Sequence, residues 1–359
     1  MKFNPINIVH TLIIWQSLLF AFVLVTPKYN KKKSNKYLSL LLLTFGIHFI
    51  YNILFSNGYY LNFLPAYSCC YGFLYGPLVF LYIKFHLNKD VSFKYLYWLH
   101  FSPFIVILTL IFLGYHVCNT VAILILPIML VYCLFSFREI YIYTKVIPQV
   151  SSINFASETK WLKTILVIML VTVLLNMFQS RIDFFNIGNI KVSMEAIVQV
   201  CILFLVNVIT YQGLKNPSSF QPISDSDLTM SKSDKLTNDR RTVDVNALQE
   251  FADKLEKCMK HDKLYLNSEL NINMLAEVIN VPKKTISQTI NHVIGSNFSD
   301  YVNSYRIADA RLQLEKKNRD SLSIKEIMYA VGFNSRSVFN TAFKKKTGLT
   351  PSEYQKHHG

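Results

Sequence analysis

The chain has 359 residues, 52% apolar and only 16% charged, which excludes a single ordinary soluble domain. Its formal net charge of +15 is unevenly placed: residues 1–214 hold 15 Lys+Arg against 5 Asp+Glu, and residues 215–359 hold 22 against 17. The first part therefore has the composition of a membrane-embedded region and the second that of a normally charged soluble one. Much of the positive charge lies between apolar segments, where it sets topology.

Seven segments are apolar enough to span a bilayer: Ile6–Thr26, Tyr37–Phe55, Cys69–Ile83, Leu96–Gly114, Val121–Phe137, Thr164–Ser180 and Val192–Leu214. A hydrocarbon core of about 30 Å needs roughly 20 helical residues, so the shorter segments need help from their flanks. The runs are continuously apolar and do not alternate as barrel strands would. Ile6–Thr26 lacks a small-residue cleavage site and reads as a retained first span. The six cysteines show no zinc-ligand spacing, and most read as small core hydrophobes.

The short loops set the orientation. The first carries Lys28, Lys31, Lys32, Lys33 and Lys36 with no acid. The third carries Lys84, Lys89 and Lys94 against Asp90, and the fifth Arg138, Lys145, Lys160 and Lys163 against Glu139 and Glu158. The second and fourth loops carry no formal charge. Basic odd loops face the cytoplasm, so the N-terminus lies outside and the seventh crossing delivers the rest of the chain to the cytoplasm.

Polar groups within the spans map toward the outer half of this bundle. His48, Asn52, Asn176, Gln179, Glu195 and Gln199, with His10 beside them, form a candidate signal pocket, and Glu195 is the one formal charge in the span cores. The same groups can equally serve as hydrogen bonds between helices.

From Lys215 the chain turns polar, and residues 215–243 read as a flexible tether without apolar period. An amphipathic helix over 244–263 follows, with Leu248, Phe251, Leu255 and Met259 on one stripe that either packs on the next domain or forms a dimer seam.

Residues 264–359 read as two helix-turn-helix units in series. In the first, Asn273 caps a helix running to Ile279 with Leu275 and Ala276 inward, and Pro282 opens a recognition helix that buries Ile286 and Ile290. A connecting helix from about Ser299 to Lys316, about 27 Å long, carries Tyr301, Val302, Tyr305, Ala308 and Leu312 along one side. In the second unit Ser323 and Glu326 form a capping box, and so do Thr350 and Glu353 around Pro351. Between them a second recognition helix buries Val338, Phe339 and Phe343. A connecting helix of that length suits two recognition helices entering successive major grooves.

Leu275-Ala276-Glu277, Tyr301 through Arg306-Ile307, Ala310, Val331-Gly332-Phe333, Phe343-Lys344-Lys345, Gly348 and Thr350-Pro351-Ser352-Glu353-Tyr354 fall at the spacings of one family. On these residues the stretch 264–356 resembles the AraC/XylS transcription regulators. The apolar half, through Tyr75-Gly76-Pro77-Leu78, is similar to multi-span sensor regions fused to such domains in Bacteroidetes-type bacteria. The resemblance implies base reading by Lys284, Ser287 and Gln288 in the first recognition helix and by Arg336, Ser337 and Thr341 in the second. Gln288 and Thr341 stand where many members have Arg, which favours a site richer in A·T. Lys283, Asn291, Asn340, Lys344 and Lys345 are the candidate phosphate contacts.

The expected fold is all-α: a seven-helix transmembrane bundle (1–214), then a soluble double helix-turn-helix domain. The expected function is that of a regulator in the cytoplasmic membrane, responding to a small-molecule or membrane signal. Its expected partners are double-stranded DNA, the lipid bilayer, RNA polymerase and a second copy of itself. No catalytic constellation, metal set or cofactor motif is visible, so no enzyme activity is expected. The alternative is a transporter or lipid-modifying protein with an appended DNA-binding domain, which would place more charge deep in its spans. A third reading makes the apolar half a bare anchor.

Overall fold

The computed structural model describes residues 5–27, 29, 32–57, 70–88, 91, 95–115, 117–152, 159–184, 188–215, 227, 245–315 and 322–358. Among them the regular structure is helical, and the one extended pairing is an isolated antiparallel bridge between Ser151 and Asn271. The helices are α1 (Pro5–Val25), α2 (Lys33–Ser56), α3 (Gly72–Leu87), α4 (Ser102–Phe112), α5 (Cys118–Val150), α6 (Lys160–Phe184), α7 (Gly188–Lys215), α8 (Val245–Lys260), α9 (Ile272–Ile279), α10 (Lys283–Gln288), α11 (Phe298–Leu314), α12 (Ile324–Ala330), α13 (Arg336–Thr347) and α14 (Pro351–His358). Short 3-10 turns at Tyr95–Phe101 and Leu264–Leu266 and a π-helical turn at Thr289–Val293 complete them.

The chain divides into two compact units, Met1–Tyr141 with Lys160–Pro222, and Ile142–Thr159 with Ile223–Gly359. In the first unit α1 packs on α2 and α7, α2 on α3, and α6 on α7. Close approach depends on small residues: a Cβ on Gly46 would lie 2.7 Å from Leu18, and one on Gly76 2.6 Å from Tyr132. Ser39 donates to the carbonyl of Ala21 across the α1–α2 seam at 2.8 Å. Cys70 and Cys133 are buried free thiols, as their apolar surroundings led us to expect.

Five segments in this structure are long and apolar enough to cross a membrane: Ile6–Val25, Lys33–Leu54, Tyr95–Phe112, Ile123–Val150 and Lys160–Phe178. The other two expected spans are represented by shorter apolar helices, Gly72–Leu87 and Ala196–Tyr211. Of these, α3 is the most enclosed, with Leu78, Val79, Leu81, Tyr82 and Ile83 all buried. The outer helices turn large apolar groups outward: Trp15 is 70% exposed, Phe22 72% and Phe112 80%.

In the second unit α8 lies against the Thr289–Val293 turn and α10, burying Leu248, Leu255 and Met259. The connecting helix α11 has 17 residues, hence about 25 Å. It buries two different sides. Tyr301 and Val302 are buried toward its start, whereas Ile307, Ala310 and Leu314 join Phe333, Phe339, Phe343 and Tyr354 in the core of the second helix-turn-helix. The single expected stripe is therefore wrong in its second half: Ala308 and Leu312 point to solvent, Leu312 at 62% exposure. A helix that serves two helix-turn-helix motifs rotates its buried face along its length, and one continuous stripe cannot describe it.

Candidate nucleic-acid interface

The first helix-turn-helix is built on α9 and α10. Asn271, and not Asn273, is the cap of α9: its side chain accepts from the backbone N–H of Asn273 and Met274 at 3.0 and 3.1 Å. Both are asparagines two residues apart, and the choice falls to Asn271 because its backbone is extended by the bridge to Ser151. Asn280 ends the helix in the left-handed conformation (φ 54°), which asparagine tolerates. Pro282 stands at the cap position ahead of α10, one residue earlier than expected. Ile286 and Ile290 are buried, and α10 widens into the π-helical turn after Gln288.

The base-reading candidates of this helix do not share one environment. Lys284 is exposed and Gln288 half-buried, but Ser287 is only 2% exposed and receives a hydrogen bond from the Asn291 amide at 3.3 Å. Lys283 is paired with the carboxylate of Asp227 at 3.1 Å. In this arrangement, then, three of the five candidates on α10 and the turn that follows it, Lys283, Ser287 and Asn291, are engaged within the protein.

The second helix-turn-helix is more open. Ser323 and Glu326 form the expected capping box, and Thr350 and Glu353 make the equivalent reciprocal bonds at the start of α14. Those bonds hold the Glu326 and Glu353 carboxyls below the usual carboxylate range. Gly332 has φ +89°, and a Cβ there would meet the carbonyl oxygens of Tyr265 and Leu266 at 2.7 Å. Only glycine fits both constraints. Phe339 and Phe343 anchor α13 in the core, which leaves Arg336, Ser337, Thr341 and Lys344 exposed and Asn340 half-buried. Lys345 reaches both carboxylate oxygens of Asp300 at the start of α11, each at 2.8 Å.

Arg306 ties the two helix-turn-helix motifs together. It is 1% exposed, and its guanidinium donates to the carbonyls of Tyr265 (2.6 Å) and Asn267 (2.7 Å), to Ser152 Oγ (3.2 Å) and to Asn303 Oδ1 (3.5 Å). The same group lies 5.4 Å from the centre of the Phe333 ring. Burial pulls its pKa down to about 10, so it stays charged at neutral pH, with neutral oxygens in place of a counter-ion. Its five contacts come from four separate stretches of chain, and no local pattern announces them.

Residues 275–357 match the helix-turn-helix domain family. The C-terminal stretch is a helix-turn-helix domain. The chain is 30% identical over 83 residues to an AraC-like transcription regulator of Streptomyces lividans, covering 23% of this chain and 26% of that protein. It is 41% identical over 66 residues to the transcriptional regulatory protein YesN of Bacillus subtilis (18% and 17% of the two chains). Over 108 residues it is 27% identical to an HTH-type regulator encoded upstream of cgkA in Pseudoalteromonas carrageenovora (29% and 62%). The chain thus spans about a quarter or less of the first two relatives. No solved structure matches the chain.

The candidate signal pocket is only partly assembled among the described residues. His48 Nδ1 lies 2.6 Å from the Tyr75 hydroxyl, and its ring stacks on Tyr71. His10 and Gln199 face each other across α1 and α7, with both His10 ring nitrogens and Gln199 Oε1 buried without a well-formed bond. Asn52 is half-buried one turn beyond His48, whereas Asn176 is exposed. The side chains of Gln179 and Glu195 lie outside the described residues. Tyr71 and Tyr75 join the cluster without having been anticipated, because a tyrosine in an apolar run reads as core.

Proposed function

We propose that this protein is a membrane-anchored one-component transcription regulator, whose cytoplasmic double helix-turn-helix binds promoter DNA in response to a signal received by the helical bundle. The observation that carries the DNA half is the pair of helix-turn-helix units joined by α11. The exposed side of α13 offers Arg336, Ser337 and Thr341 for base edges and Lys344 for phosphate. Lys284 and Gln288 offer the same on α10.

The membrane half rests on two supports. Large apolar side chains cover the outside of the first unit, and exposing so much apolar surface to water is unfavourable at about 25 cal/mol per Å². The three basic loops also meet at one end: Lys33 Nζ donates to the Val91 carbonyl at 3.4 Å, Lys84 pairs with Glu139 at 3.7 Å, and His86 packs edge-on against Trp161. A common cytoplasmic face for the first, third and fifth loops requires that convergence. On this reading residues 1–214 are the seven-span domain, 215–243 the tether, 244–263 a connecting helix and 264–359 the DNA reader, with RNA polymerase and a second copy as further partners.

Fractionation of cells expressing the full chain tests the membrane half. Retention in alkali-washed membranes, with a C-terminal tag shielded from external protease, is the expected result. Recovery of the chain in the soluble fraction would refute the anchoring.

A further inference from the structure

The longest helix among the described residues, α5, does not end with its apolar run. Residues 118–141 of α5 belong to the first unit, but from Ile142 onward the helix, together with Ser151 and Ser152, belongs to the DNA-binding unit. The contacts there are polar, buried and numerous. The Ser152 N–H donates to the Leu270 carbonyl at 3.2 Å, and its hydroxyl donates to the same oxygen at 2.7 Å. The Ser299 hydroxyl donates to the Ser152 carbonyl at 3.4 Å, and Arg306 donates to Ser152 Oγ at 3.2 Å. One residue earlier, Ser151 forms the antiparallel bridge with Asn271, the cap of α9. Ser152 is fully buried. These few residues therefore satisfy carbonyls and a guanidinium that would otherwise sit in a protein interior without those partners.

We propose that the end of α5, Ile142–Ser152, is a docking strap that couples the helical bundle directly to the DNA-binding unit through Arg306 and the α9 cap, and that its docked state is the resting one. The proposal extends the membrane-regulator reading by naming its line of transmission. That line is a continuous helix ending on the residue that holds both helix-turn-helix units, and it works in addition to the tether after Lys215. The resting assignment follows from the same arrangement, in which Lys283 is held by Asp227 and Ser287 is buried, so that part of the first recognition helix is withheld from DNA while Lys284 stays exposed. A shift of α5 along or about its axis would move Ser152 against Arg306, which touches Tyr265, Asn267 and Phe333 at once. Packed polar networks of this kind rearrange between discrete states and do not deform smoothly.

The test is disulfide trapping in the full-length chain, carried out in its own membranes or in detergent. Residues opposed in an antiparallel pair lie about 4.5–5.5 Å apart at Cα, within disulfide range. Ser151→Cys with Asn271→Cys is oxidised mildly after a protease site has been placed in the tether. The strap predicts that cleavage leaves the two fragments joined until reductant is added, and that joining is much faster than for Ser151→Cys with Lys325→Cys. Equal rates for the two pairs would overturn the docking. Binding to random-sequence duplex should be roughly five-fold or more weaker in the oxidised than in the reduced protein. Equal or tighter binding when oxidised would overturn the resting assignment. Because Asn271→Cys removes a helix cap, a second variant stands beside it. Ser152→Lys sets an ammonium against the Arg306 guanidinium and should release the strap, read as faster amide exchange at Ser152 together with tighter duplex binding. Unchanged exchange and affinity would count against the strap. Membrane fractionation reads independently of both assays, so a failure of the anchoring and a failure of the coupling are distinguishable.

Discussion

The carboxylate of Asp227 lies 3.1 Å from the ammonium of Lys283, with the aspartate side chain 7% and the lysine side chain 26% exposed. A residue of the expected tether thus occupies a cation that is a candidate contact for a DNA phosphate. Asp227→Asn should leave the fold intact and free Lys283 for DNA. We expect affinity for duplex DNA to rise a few-fold, with the salt dependence of binding steepened by about one phosphate contact. Equilibrium binding across a salt series measures both, and an unchanged slope would show that Lys283 contacts no phosphate.

Removing a side chain from the exposed face of α13 should have effects that depend on its role. Arg336→Ala should cost about 1–3 kcal/mol on the preferred sequence and relax the preference at one position. Lys344→Ala should weaken binding evenly across sequences and lower the salt slope by about one. Selection of bound sequences from a random pool separates the two behaviours.

The turn at Gly332 and the Arg306 network hold the same place from two sides. Gly332→Ala combines a positive φ with a Cβ 2.7 Å from two carbonyl oxygens, and we expect a destabilisation of at least about 1–3 kcal/mol. Arg306→Lys should not restore what Arg306→Ala loses, because an ammonium cannot span carbonyls that a planar guanidinium reaches with separate nitrogens. Amide exchange in α9 and α11 should rise in all three variants, and protection in Arg306→Lys equal to that of the parent chain would contradict the assigned network.

The two capping glutamates set an acid limit. Glu326 accepts from the Ser323 N–H at 2.8 Å and Glu353 from the Thr350 N–H at 2.7 Å, and both carboxyls titrate lower than a free glutamate. A folded value below the unfolded one of about 4.3 means that their stabilisation is complete above that pH. It is then lost as pH falls through the lower folded value. The unfolding midpoint of the DNA-binding unit should therefore drop in that window, and Glu326→Gln with Glu353→Gln should flatten the drop.

Much of the second helix-turn-helix was legible because its signals are local. A capping box needs two residues three apart, and the buried Phe339 and Phe343 stand at helical spacing. The errors arose where a distant segment decides. Asn271 wins the cap over Asn273 because Ser151 pairs with it. The stripe on α11 fails at Ala308 and Leu312 because the helix changes neighbours halfway along. Ser287 has the right residue type for a base reader, yet it is buried in this arrangement, and residue type alone does not register a neighbour that covers it. The contact of Ser152 with Arg306 spans 154 residues and involves a serine of no distinctive sequence context.

The most direct test of the central claim is to map the full-length protein on the chromosome of living cells by crosslinking and sequencing. Discrete peaks with a shared sequence motif are expected, lost when Lys284→Ala and Arg336→Ala are combined while the protein stays at its normal level. Peaks that persist unchanged in that double variant, or an even distribution without any motif, would contradict it.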